Sequence, residues 1–190
     1  MGFQFRILLA GVKKPPVWRE VVVDEKITFH HFHDILQRIM DWDNSHMYQF
    51  SPGGYGSLPR FMLKTEYAES EFSSVSKLAK GHEGIYDSKK VKLENFFTEQ
   101  RGKIVYIYDF GDNWKLIITL KSKIPEKVDF PYLTGGKGKC PPDDCGGIWG
   151  YQNMLDALND PNHPEHEDMR EWLCLDDGEG GIHWILTWRR

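Results

Sequence analysis

The chain contains 190 residues, 40% of them hydrophobic and 14% aromatic, and carries a net charge of −4. The apolar content excludes a globally disordered chain, because it suffices to build a sizeable core. The acidic balance weighs against a protein that binds nucleic acid with its whole surface, and the apolar runs are too short to span a membrane. Three cysteines in a chain without a secretion signal predict reduced thiols and a cytoplasmic protein.

The first fifty residues predict the element order β-β-α-β. Two segments rich in β-forming residues, 3–10 and 17–23, are separated by a Pro-containing turn at 13–16. Apolar residues at steps of three and four predict an amphipathic helix over 29–40, and residues 46–50 alternate as a third strand. This order allows a helix packed on one face of a mixed sheet, and it resembles the opening of a β-grasp unit.

The middle of the chain divides into an ambiguous part and a clear part. Residues 57–87 have weak periodicity, and we predict a loop-rich insertion that includes a short helix within 69–80. The clearest hairpin of the chain follows, with strands 103–110 and 114–120 joined by a tight turn.

The last third of the chain is predicted to be loop and helix. Residues 123–147 are rich in Pro and Gly and predict a long loop. Helical spacing predicts a helical C-terminal part over 148–175, and residues 182–188 alternate weakly as a final strand. Together the elements predict one α+β domain over residues 1–190, with a mixed or mostly antiparallel sheet of five or six strands and helices on one face.

Five blocks of the sequence point to one protein family. In chain order they are Pro15–Arg19, Asp41–Phe50 with Gly54–Gly56, Tyr108–Trp114, Cys140–Gly147 with Gly150–Tyr151, and Asp160–His166. In this order they resemble the plasmid Ri ORF-three-like (pRiA-type) family, which includes passenger proteins of insertion elements. The resemblance raises an association with mobile elements as an expectation, and it assigns no biochemical activity.

Two positions depart from the pattern of that family. Leu116 stands where members often carry a histidine, and Leu133 stands where members often carry a cysteine. Both differences remove a potential metal ligand or acid–base group, which puts in doubt any site that needs them.

Two cysteines and two histidines form a candidate metal site. Cys140 and Cys145 precede His163 and His166 in the pattern C-x4-C…H-x2-H. Thiolates and imidazoles are good zinc ligands, and a tetrahedral structural site needs four of them. The alternative is that the prolines between the cysteines shape a turn, that Cys145 is a small buried residue and that the histidines belong to the start of a helix. Zinc is therefore one option, either structural or catalytic in a hydrolase-like enzyme.

Four aspartates lie in two predicted loops. Asp109 and Asp112 flank the hairpin turn, and Asp143 and Asp144 lie between the two cysteines. If the two loops meet, these carboxylates could bind Mg²⁺ or act as an acid and a base. The alternative is that they cap turns and a helix.

Polar and aromatic residues of the family blocks crowd into loops, where binding residues tend to lie. The candidate ligand-binding residues are Asp109, Asp112, Trp114, Asp144 and Tyr151. Core packing is the alternative for the aromatic members of this set. The first functional hypothesis is a non-enzymatic binding or interaction module for a protein, peptide or nucleic-acid partner without a membrane role. The second is a metal-dependent enzyme.

Overall fold

The computed structural model describes residues 1–65, 70–78, 80–98 and 102–175. Its strands are β1 (Gly2–Leu9), β2 (Trp18–Asp24), β3 (Tyr48–Ser51), β4 (Arg60–Met62), β5 (Ile85–Asp87), β6 (Lys103–Tyr108), β7 (Trp114–Ile124) and β8 (Tyr132–Lys137). Its helices are α1 (Phe29–Met40), α2 (Val75–Leu78), α3 (Gly147–Asn159) and α4 (His166–Trp172). None of the helices in these ranges is both long and apolar enough to cross a membrane.

The described strands form one sheet of eight strands in the order β5-β4-β3-β6-β7-β1-β2-β8. Neighbouring strands are antiparallel except for β4 and β5, which are parallel. The α+β class, the mostly antiparallel sheet and the opening order β1-β2-α1-β3 agree with the sequence predictions.

The predicted number of five or six strands was too low. Two of the additional strands, β4 and β5, have three residues each and lie inside the segment predicted to be a loop-rich insertion. The third, β8, lies in the Pro- and Gly-rich segment and contains Gly135 and Gly136, which lack β-forming side chains. Strands β4 and β5 are too short for a periodic signal, and β8 depends on its pairing with β2, which is distant in sequence. The predicted strand over 182–188 lies outside the described residues.

Helix α1 attaches to the sheet through a stripe of apolar side chains. The hydroxyl oxygen of Thr28 accepts a hydrogen bond from the His31 backbone N–H, which caps the first turn. Phe29 stacks on Phe61 of β4 with ring centroids 4.2 Å apart, and Phe32 lies 5.1 Å from Phe5 of β1. These contacts place the centre of the core between α1 and the sheet.

A second stripe of α1 is polar and equally buried. His33 Nδ1 lies 2.7 Å from the Tyr106 hydroxyl, and His33 Nε2 lies 2.6 Å from Asn44 Oδ1. Gln37 donates from Nε2 to the same tyrosine oxygen and accepts from the Asn44 backbone N–H. A neutral imidazole with its proton on Nε2 satisfies this network, and burial lowers the pKa of His33 to about 4. The network fixes the loop that follows α1 onto β6.

The buried guanidinium of Arg19 connects three parts of the chain. Its side chain donates to the carbonyl oxygens of Trp18, Ile39, Lys137 and Gly138 and to the sulfur of Cys140, at 2.8–3.2 Å. Ile39 belongs to the last turn of α1, where the negative end of the helix dipole favours a cation. Arg19 therefore joins β2 to the end of α1 and to the end of β8.

Lowering the pH should destabilise the fold through His33. Its folded-state pKa of about 4 lies below the ordinary value of 6.5, so the unfolded chain takes up the proton first. The loss of unfolding free energy should begin below pH 6.5 and reach about 3 kcal/mol near pH 4. Urea unfolding between pH 7.5 and pH 4.5 measures this loss.

A His33→Gln variant should show a shallower dependence of the unfolding free energy on pH than the wild type. His31→Gln, at an exposed position of α1, should keep the wild-type pH dependence. Equal slopes in all three proteins would contradict the prediction.

Replacing Arg19 by Met should cost about 3 kcal/mol or more of unfolding free energy, because four carbonyl oxygens lose a buried donor. Arg19→Lys keeps the charge but lacks the planar fork of donors, so it should lose an intermediate amount. Chemical denaturation measures both changes. Arg38→Met, on the exposed side of α1, is the control and should change stability by about 0.5 kcal/mol or less. If the Arg19→Met variant were as stable as the wild type, the hydrogen bonds of Arg19 would make no net contribution to the unfolding free energy.

Candidate functional site

Three loops meet at one end of the sheet. They are residues 41–47 between α1 and β3, residues 109–113 between β6 and β7, and residues 140–146 before α3, and we call them the loop cluster. The register of the sheet brings the first two together, since Tyr48 lies opposite Tyr108 and Tyr108 lies opposite Trp114. The Asp109 backbone N–H also donates to the carbonyl oxygen of Met47 at 3.0 Å.

Aspartate side chains tie the third loop to the other two. The Asp43 backbone N–H donates to Oδ2 of Asp143 at 2.6 Å. The Gly146 backbone N–H donates to Oδ2 of Asp112 at 3.1 Å. The sequence left open whether the two loops that carry these aspartates, residues 109–113 and 140–146, meet. In the structure they are in contact.

A histidine and two aspartates converge within the loop cluster. His46 Nε2 lies 3.1 Å from Oδ1 of Asp144 and 3.8 Å from Oδ2 of Asp109. Each of the three residues offers one potential metal-ligand atom, and these atoms all lie within 4.8 Å of one another. Asp109 is buried, His46 is half-buried and Asp144 is exposed, so the group, which we call the His46 cluster, is open to solvent on one side.

The backbone of the loop cluster is held in unusual conformations. Of the six non-glycine residues with positive φ in the described chain, five lie in these loops: Asp41, Asn44, Asp109, Asn113 and Asp144. Asp and Asn tolerate this conformation better than other residues with a side chain. At Asp109 the carboxylate oxygen Oδ1 accepts from the Gly111 backbone N–H at 2.9 Å, which leaves Oδ2 directed to His46.

Several polar atoms in and beside the loop cluster are buried without a hydrogen-bond partner. Among the described residues five buried side-chain atoms have none, and three of them are Asn113 Oδ1, Trp114 Nε1 and Asp143 Oδ1. Such an atom typically costs about 1–3 kcal/mol when nothing binds it. Buried polar atoms in native proteins are usually satisfied by protein, ordered water or an ion.

The loop cluster is strongly acidic. Its three loops contain six aspartates, one histidine, and no lysine or arginine. Burial raises the pKa of Asp143, and the nearby Asp43 carboxylate raises it further. This charge distribution favours a cation.

The predicted cysteine and histidine ligands occupy other environments. Cys140 is buried beside Arg19, and burial raises the pKa of its thiol to about 11. Burial and the Asp112 carboxylate raise the pKa of Cys145 to about 12. His166 Nδ1 lies 2.8 Å from the carbonyl oxygen of Ala157, and His163 Nδ1 accepts from the Glu165 backbone N–H. Across the described part of the chain, these four residues belong to no group of three potential ligands.

The candidate ligand-binding residues separate into two sets. Asp109, Asp112 and Asp144 belong to the loop cluster, where Asp144 is exposed, Asp112 is half-buried and Asp109 is buried. Trp114 and Tyr151 are instead buried in the hydrophobic core. His46 was not among the site residues predicted from the sequence, although it belongs to a family block and stands two residues before β3. The pairing of β3 with β6 is the signal that could have placed it beside Asp109.

Three comparisons relate this chain to other proteins. Residues 1–179 match the family model described as plasmid pRiA4b ORF-3-like protein. The chain is 35% identical over 166 residues to the uncharacterized protein y4hQ of Sinorhizobium fredii, covering 86% of this chain and 77% of that protein. The crystal structure of MM3350 from Methanosarcina mazei Go1, a protein of unknown function, is similar with a TM-score of 0.76 and 30% identity over 95% of this chain and 94% of that one. The resemblance drawn from the five sequence blocks is thereby confirmed, and the chain belongs to the plasmid pRiA4b ORF-3-like family.

Proposed function

We propose that this protein is a ligand-binding module whose loop cluster holds a divalent metal ion through His46, Asp109 and Asp144. The observation that carries the proposal is the convergence of one imidazole nitrogen and two carboxylate oxygens within 4.8 Å of one another. Two ligands on one ion, with bonds of about 2.1 Å, lie about 3.0–3.4 Å apart at octahedral or tetrahedral angles. The distances of 3.1 and 3.8 Å from His46 Nε2 are close to that separation.

The ligand set favours a particular group of ions. One imidazole with two carboxylates suits Zn²⁺, Mn²⁺ or Fe²⁺, whereas Ca²⁺ and Mg²⁺ prefer oxygen ligands alone. Three protein ligands leave at least one coordination position open, and an external ligand can occupy it. The exposed side chain of Met47, the residue that follows His46, supplies apolar contact surface nearby.

A binding role accounts for these features without a catalytic group. The alternative of a metal-dependent hydrolase, which the sequence places on Cys140, Cys145, His163 and His166 or on the nearby aspartates, stays a prediction. The description of the family names a plasmid and no activity, so it assigns no activity to this chain.

Titration of the chelator-treated protein with Mn²⁺ or Zn²⁺ should reveal one site by isothermal calorimetry. Asp109→Asn and His46→Gln should each weaken binding at least tenfold, since each removes one of three ligands. Asp43→Asn makes the same change of charge in the same loop cluster at an exposed residue that is not a proposed ligand, so it should bind almost as the wild type does. Equal losses in Asp43→Asn and Asp109→Asn would indicate diffuse attraction and overturn the proposal.

Elemental analysis of untagged protein purified without chelator should separate the two candidate metal sites. Cys145→Ala should retain the metal content of the wild type, because its thiol lies outside the His46 cluster, whereas Asp109→Asn should lose it. Zinc that is lost in Cys145→Ala and retained in Asp109→Asn would instead place the ion at the cysteines.

A further inference from the structure

A cleft of about 240 Å³ opens beside the His46 cluster. Its walls are formed by the loop before α3 and by α3 and α4. The lining residues that matter here are Asp144, Cys145, Met154, Glu165, Met169 and Trp172. Asp144 belongs both to this cleft and to the His46 cluster, so the two features are contiguous.

The walls of the cleft are largely apolar and adaptable. Met154 is buried, Met169 is half-buried, and Trp172 is 47% exposed. Methionine and tryptophan side chains make favourable contacts with rings and alkyl chains of varied shape. At about 30 Å³ for each water molecule, the volume corresponds to roughly eight waters, and it is below the 300–1,000 Å³ of sites for drug-sized ligands. The cleft therefore fits a single ring or a short alkyl chain.

The charge of the cleft depends on the ion. Glu165 and Asp144 are the acidic residues of its lining, and Oε2 of Glu165 accepts a hydrogen bond from the Asn153 amide at 2.5 Å. Without a cation these carboxylates repel an anionic ligand. A divalent ion at the His46 cluster neutralises the Asp144 carboxylate at the mouth of the cleft and offers an open coordination position there.

We infer that the cleft takes the hydrocarbon part of a carboxylate ligand, whose carboxylate oxygen completes the coordination of the ion at the His46 cluster. The ligand class is an aryl- or alkyl-substituted carboxylic acid, either a free acid or the C-terminus of a peptide that ends in an apolar residue. This inference rests on the proposed metal site and adds the chemistry of the ligand to it.

The test uses full-length protein loaded with Mn²⁺ and calorimetric titration with 3-phenylpropanoate. Binding should occur with the ion and be lost after chelation. The matched probe 3-phenylpropylamine has the same hydrocarbon and the opposite charge, and it should not bind. Acetyl-glycyl-phenylalanine presents the same carboxylate chemistry from a peptide, and its affinity relative to the free acid tells the two sources apart.

Variants locate the hydrocarbon part of the probe. Trp172→Ala should weaken 3-phenylpropanoate at least fivefold without changing Mn²⁺ affinity, and Trp172→Phe should restore most of the loss. Trp149→Ala is the control, because Trp149 is 86% exposed and lies outside the cleft. If Trp172→Ala fails to fold, Met169→Ala serves the same purpose.

Three results would overturn the inference, and a fourth would overturn the metal site on which it rests. Binding of the amine in place of the acid, or binding of the acid without dependence on the ion, would assign the cleft a different ligand. Normal Mn²⁺ binding with no response to any of the carboxylates would also reject the inference while leaving the metal site intact. Failure of Mn²⁺ and Zn²⁺ to bind would reject the proposed function itself.

Discussion

The antiparallel register of β3, β6 and β7 determines where the polar residues of this protein can meet. Because Tyr48, Tyr108 and Trp114 lie side by side across the three strands, the residues just beyond them emerge at the same end of the sheet. A shift of one residue in either pairing would turn the buried side chains of these strands to the opposite face. The core and the loop cluster are therefore specified by the same set of pairings.

The interior supports the loop cluster from below with two kinds of interaction. Trp42 stacks on Tyr108 with ring centroids 5.0 Å apart and donates from its indole N–H to the carbonyl oxygen of Pro141. Arg19 fixes the chain at the end of β8, just before the third loop begins. Rigid support of this kind allows short side chains such as the buried Asp109 and the exposed Asp144 to keep fixed separations, which metal and ligand sites require.

The sequence identified the elements whose signal is local. Helix α1 has apolar residues at helical spacing with a Thr28 cap, and β6 and β7 are adjacent in both sequence and space, so both were predictable. Strands β4 and β5 are too short for a periodic signal, and β8 depends on its pairing with β2. The site divides in the same way. Asp109 and Asp144 were candidates by residue type and loop position, whereas His46 joins them through a tertiary pairing that no spacing rule contains.

The members of the His46 cluster are far apart along the chain, since His46 and Asp144 are separated by 98 residues. An unfolded chain could gather them only by closing a long loop, so it would hold the ion weakly. Ion binding would then add to the stability of the folded protein by mass action. Because cells degrade unfolded chains continuously, the amount of this protein would rise and fall with the supply of its metal, even without any change in its synthesis.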